Sequence, residues 1–268
     1  TKQLSELRDR LELMMSIPAS SAYVDSTPEL EDINQGYELS AYAYNWPSLL
    51  DRKGIVKVAN LDRYSLPLNF RKARTIKLDN VIITETELEF LKKTRNSYVI
   101  DQKQEDIILH EIPSAASDAY TLSNAESAGN AVTIELDTVS GLSQHDEIWI
   151  DSVSGTDEFT MVSSVGTLSI VARLDAAKSA SDILYRQNDI IDMLFYKRIT
   201  LLSAAGDKTM LPEAVDYIML HASAALAYER LVMFDEADKQ WILWKEKLAV
   251  VWEANGKNST GQVAQFSV

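Results

Sequence analysis

The stretch FYKRITLLSAAGDKTMLPEAVDYIML, residues 195–220, decides how the chain is organised. Phe195 to Thr200 has strand character and a polar turn follows. Leu211-Pro212-Glu213 then opens an apolar-striped helix, proline being at home in a first helical turn. The nearest upstream segment of the same style ends near Glu111. Between the two, residues 118–187 change composition, with Ser, Thr, Val, Asp and Gly prominent and no long helical stripe. Val132, Ile134 and Leu136 alternate there with Thr133 and Glu135, Ile148 and Ile150 bracket Trp149, and Phe159 and Met161 bracket Thr160. Gly129-Asn130, Ser140-Gly141 and Val165-Gly166 break the runs, as turns do between short strands. Residues 118–187 therefore read as a small all-β module, of barrel or sandwich type. It is inserted into a discontinuous domain made of 1–117 and 188–254, at a tip whose two ends lie close together.

Outward from that junction the helical period dominates. Leu4, Leu7, Leu11 and Met14 form a stripe that stops at Pro18. Thr27-Pro28-Glu29 starts a second helix, with Thr27 as N-cap and a stripe of Leu30, Ile33, Tyr37, Ala41 and Tyr44. The final pair spans Leu211 to Met233 and Glu236 to Ala254. Between the helices, Ile55–Val58 and Tyr64–Leu66 read as a hairpin around Asn60-Leu61-Asp62. Short strands follow at 75–78, 81–83, 97–101 and 106–111, with a short helix from Glu85 to Lys93. The expected fold is α+β: a helical bundle with a β-hairpin and small strands, carrying the inserted module. Residues 255–268 lack periodicity and read as a flexible C-terminal tail.

The chain of 268 residues has 40 acidic and 26 basic residues, a net charge of −14, and no cysteine. Disulfides and thiolate chemistry are thereby excluded, and a cytoplasmic site of assembly fits. An acidic surface repels a phosphate backbone, which argues against a reader of nucleic-acid sequence. No apolar run is long enough to span a bilayer, so no membrane association is expected. His110, His145 and His221 have no carboxylate–nucleophile set around them, and strand alternation would point His145 and Glu147 away from Asp146. No phosphate loop, nucleophile elbow or zinc-binding helix motif occurs. The sequence thus predicts no enzyme, with no catalytic residue, metal or cofactor. Trp241, Trp244 and Trp252 load the last helix with aromatic surface, either for the core or for a subunit interface.

Two stretches carry a resemblance. INQGYELSAYAYNWPSLLDRKGIVKVANLDRYSLPLNF (33–70) has a helix closed by Trp46-Pro47 and then Tyr64-x-Leu66-Pro67-x-x-Phe70. MLPEAVDYIMLHASAALAYERLVMFDEADKQW (210–241) has Leu-Pro-Glu, a small-residue helix, an acidic turn and a Trp-bearing helix. In this order, with SYVIDQKQEDIILHEIP (97–113) between them, they resemble the head–tail adaptor (connector, or head-completion) proteins of tailed bacteriophages. The resemblance covers 1–113 and 189–254, and the β module departs from it.

The resemblance implies a structural virion protein, assembled in the host bacterial cytoplasm and placed at the head–tail interface. It would form a homo-oligomeric ring, a dodecamer, joining the portal protein to tail or neck proteins below. Duplex DNA would pass through its channel without specific binding. It also implies a C-terminal extension laid against the portal. In the segment VAQFSV (263–268), Val263, Phe266 and Val268 are the apolar residues available for that contact. The alternative is a virion decoration or host-glycan-binding protein acting through the β module.

Overall fold

A computed structural model describes residues 1–17, 21–24, 26–91, 94–153 and 156–256, the last two without their side chains. It divides into two compact units, Thr1–Leu50 with Tyr196–Val268, and Asp51–Phe195.

The first unit is helical: α1 (Leu4–Met15), α2 (Thr27–Ala43), α3 (Glu213–Arg230) and α4 (Phe234–Gly256). Leu4, Leu7, Leu11 and Met15 form the buried stripe of α1. The cap of α2 lies one residue earlier than the sequence suggests: Ser26 Oγ accepts from the Glu29 N–H at 3.2 Å, satisfying one orphan donor of the first turn. Ile33, Tyr37 and Ala41 then face Val215, Met219 and Ala222 in one apolar core. Gly36 permits that approach. A Cβ there would lie 2.8 Å from Ser223 N and 2.9 Å from Met219 O, on the backbone of α3. Two polar side chains in this core are paired: the Tyr37 hydroxyl accepts from the Met210 N–H at 2.7 Å, and Trp46 Nε1 donates to Ser40 O at 2.8 Å.

The second unit is all β. Its seven-stranded sheet has the order β1-β13-β3-β4-β5-β6-β2. These strands are β1 (Leu50–Val56), β2 (Arg63–Ser65), β3 (Phe70–Leu78), β4 (Val81–Glu85), β5 (Ser97–Asp101), β6 (Asp106–Leu109) and β13 (Ile190–Lys197). Phe70, Ile76, Ile83, Tyr98, Ile107 and Phe195 belong to its core. Asp79 and Asn80 join β3 to β4, with φ of 51° and 61°, the two left-handed residues that a tight hairpin turn demands.

The six-stranded sheet has the order β7-β12-β9-β10-β11-β8. Its strands are β7 (Ala119–Thr121), β8 (Gly129–Glu135), β9 (Glu147–Asp151), β10 (Glu158–Val165), β11 (Ser169–Leu174) and β12 (Ile183–Arg186). A bridge from Leu122 to Leu136 ties its two end strands together, so the sheet curls around Tyr120, Ile134, Ile148, Ile150, Val162, Ile170 and Leu184. Closure of this kind removes exposed edges.

The expected helical bundle with a hairpin and small strands is corrected by these sheets. Thirteen strands in two curled sheets stand beside four helices among the described residues. The 55–67 hairpin does not form, because β1 and β2 lie at opposite ends of the sheet order. β2 pairs instead with β6, Tyr64 opposite Ile107, and the Tyr64 hydroxyl donates to Leu61 O at 3.0 Å inside the loop. No α-helix starts at Glu85: β4 runs through that residue, the Thr86 N–H donates to Tyr98 O at 2.9 Å, and among the described residues of this stretch helical conformation appears only as a 3-10 residue at Leu91. Lys92 and Lys93 lie outside the described residues. Strand alternation identified individual strands, but short strands become a sheet only through long-range pairing, which periodicity does not encode.

Candidate functional site

The turn between α3 and α4 breaks a local rule. The Met233 N–H bonds Tyr228 O at 2.8 Å and the Val232 N–H bonds Glu229 O at 3.0 Å, the double closure that ends many helices. That closure needs a left-handed residue, usually glycine, and here it is Val232 at φ 62°. A left-handed L-residue costs about 1–2 kcal/mol, and β-branching makes valine among the poorest choices. Among the described residues no packing offsets the cost, because Val232 is 71% exposed. Leu231, Met233 and Phe234 are exposed too, so four consecutive apolar side chains face solvent. Asp235 and Asp238 flank them on α4, exposed and without an ion pair among the described residues. Apolar surface shown at a conformational cost makes this turn the candidate interaction site.

Val263, Phe266 and Val268 lie outside the described residues. Of the three tryptophans, Trp244 and Trp252 are buried in the helical core. Trp244 Nε1 donates to Ser40 Oγ at 2.9 Å, and Trp252 stacks on Tyr44 with ring centroids 4.7 Å apart. Trp241 packs at the core's margin and donates from Nε1 to Glu229 Oε1 at 2.7 Å. Sequence reading placed an acidic turn between the last two helices but missed its exposed apolar face, although the signal was present: LVMF sits between two helices where glycine is expected.

The second unit has a different polar centre, on Arg52 of β1. Its guanidinium makes a bidentate pair with Asp192 at 2.8 and 2.7 Å, contacts Glu147, and lies 3.8 Å from the Phe159 ring centroid. Gln187 Nε2 donates to the same Asp192 at 2.7 Å. Burial opposes ionisation of Asp192, yet the Arg52 and Gln187 bonds and the charges of Arg52 and Lys77 hold its carboxyl below the ordinary value. Beside this centre Gly54 lets the two sheets pack closely. A Cβ at Gly54 would lie 2.5 Å from the Trp149 ring, and Trp149 stacks with Tyr185 at 5.6 Å. The outward face of β9 is thus buried, so the β module is fastened to the seven-stranded sheet.

A cavity of about 530 Å³ beside Arg52 is lined by Lys53, Asn69, Asp151 and Asp157, among others. Its charges answer one another: Lys53 pairs with Asp157 at 3.2 Å, and burial together with Asp157 raises the Asp151 carboxyl. Among the described residues no group of three His, Cys, Asp or Glu side chains could hold a metal ion. His145 sits in a turn at φ 71°, while Glu147 is engaged by Arg52. His221 bridges α3 and α4, with Nδ1 bonded to Gln240 Oε1 at 2.7 Å and Nε2 accepting from Lys247 at 2.8 Å. Among the described residues no helix is long and apolar enough to cross a membrane. Neither a protein-family model nor a curated protein sequence matches the chain.

Proposed function

We propose that this chain is a structural protein of a tailed bacteriophage, a ring subunit that joins the portal vertex of the head to the tail or neck. The observation that carries this reading is the Leu231–Phe234 turn, where apolar side chains are displayed at a conformational cost that subunit folding does not repay. Such a cost is explained when the surface is covered in an assembly. The resemblance of 33–70 and 210–241 to head–tail adaptors supplies the identity of that assembly. The net charge of −14 suits a channel past which duplex DNA slides without counter-ion-release binding. In this reading Val263, Phe266 and Val268 contact the portal protein. The test is co-sedimentation with portal-bearing heads. The chain should pellet with heads carrying a portal and stay in solution with heads lacking one. Equal pelleting with both, or with neither, contradicts the proposal.

A further inference from the structure

The helical unit carries two exposed surfaces that differ in chemistry and sit at opposite ends of α3. At its end stands the Leu231–Phe234 turn with the carboxylates of Asp235 and Asp238, which have no ion pair among the described residues. Near its start stands Tyr217, 42% exposed, with the Arg10 guanidinium 5.3 Å and the Lys2 ammonium 5.7 Å from its ring centroid. Leu13, one helical turn beyond Arg10, is 73% exposed. Lys2 also reaches the exposed Glu213 at 3.5 Å, whereas Arg10 has no ion pair among the described residues. One surface is therefore apolar with carboxylates; the other is apolar and aromatic, with Lys2 shared with Glu213 and Glu6 and the Arg10 guanidinium available for a carboxylate from outside.

The thirteen steps from Tyr217 to Arg230, the last residue of α3, span about 20 Å of helix at 1.5 Å per residue. A rigid helix cannot bring its own two ends together, so the complementary surfaces can meet only between copies. The turn cannot pair with itself across a two-fold axis, because Asp235 and Asp238 would then face like charges.

We propose that the chain assembles head to tail. The Leu231–Phe234 turn of one copy seats on the Arg10–Leu13–Tyr217 face of a second copy, with Asp235 and Asp238 directed at Arg10 and Lys2. Such a heterologous contact repeats from copy to copy and generates a ring when its rotation closes. This contact deepens the ring reading and rests on it.

The experiment is sedimentation velocity of the full chain, alone and on portal-bearing heads. Wild type is compared with the turn variant Asp235→Arg/Asp238→Arg and the face variant Lys2→Glu/Arg10→Asp, all checked for helical circular dichroism. Each variant alone should need at least tenfold higher concentration to self-associate. An equimolar mixture of the two should regain the wild-type assembly, because each supplies the surface matching the other. Val232→Gly should weaken association while leaving the subunit folded. Variants that assemble like wild type, or a mixture that fails to recover, overturn the head-to-tail contact and leave the ring reading standing. Wild-type chain that stays monomeric in solution and on heads overturns both.

Discussion

Gly36→Ala should destabilise the helical unit although alanine is the better helix former. The new methyl carbon would meet Ser223 Oγ and lie 2.8 Å from Ser223 N and 2.9 Å from Met219 O. The last two are backbone atoms of α3, held by that helix's own hydrogen bonds, so no side-chain rotation relieves them. The helices must separate, and the contacts of Ile33, Tyr37 and Met219, all fully buried, loosen together. Overpacking of this kind costs about 3 kcal/mol at the upper end of its usual range. Replacing glycine by alanine inside a helix returns about 1 kcal/mol. The net loss is about 2 kcal/mol, which for a chain of this size lowers Tm by about 4–8 °C. The assay is urea unfolding followed by circular dichroism at the helical minimum. Ser223→Ala serves as a control, because it removes one of the three contacts and leaves the backbone pair. The combined variant should therefore remain less stable than Ser223→Ala alone. A Gly36→Ala chain as stable as wild type would refute the close approach of α2 and α3.

Other perturbations separate the remaining parts. Val232→Gly should raise subunit stability by about 1 kcal/mol, the relief of a left-handed valine less part of glycine's entropy; thermal melting of the monomer checks it, and destabilisation would contradict the strained turn. Burial pushes the His221 imidazolium below the usual histidine range, the Gln240 bond works against that shift, and Lys247 adds to it. The unfolded chain therefore takes up the proton first as pH falls. Stability should be constant above the ordinary histidine value of about 6.5 and decline below it, through the lower folded pKa. His221→Gln should flatten that decline in urea melts across this range. Arg52→Met leaves the Asp192 carboxylate, 4% exposed, with only the Gln187 bond and the more distant Lys77 ammonium at 3.9 Å; a loss of about 3 kcal/mol is expected, with Trp149 fluorescence shifting to the red. An unchanged spectrum and melt would show that Arg52 does not fasten the two sheets.

Helical period was legible because it is local. Leu4, Leu7 and Leu11, and Ile33, Tyr37 and Ala41, step at the helix repeat, and all six are buried in the helical core. Alternation around Trp149 likewise marked β9. The sheets were not legible in the same way. Tyr64 pairs with Ile107 and Thr84 with Ser97 in parallel, contacts that follow from packing between distant segments. Gly36 and Gly54 show the same limit, since each is chosen by a neighbour far along the chain. At the candidate site, aromatic count drew attention to Trp244 and Trp252, which the core consumes. The informative residue was Val232, whose meaning depends on its left-handed backbone and its exposure, neither of which composition reveals.

A ring subunit of this kind occupies one defined position in the particle. Immunoelectron microscopy of intact phage particles with antibody raised against residues 118–187 measures it directly. One label site per particle, at the vertex where head meets tail, is the predicted result. Label distributed over the head surface or along the tail would contradict the ring-subunit account and favour a decoration or glycan-binding role.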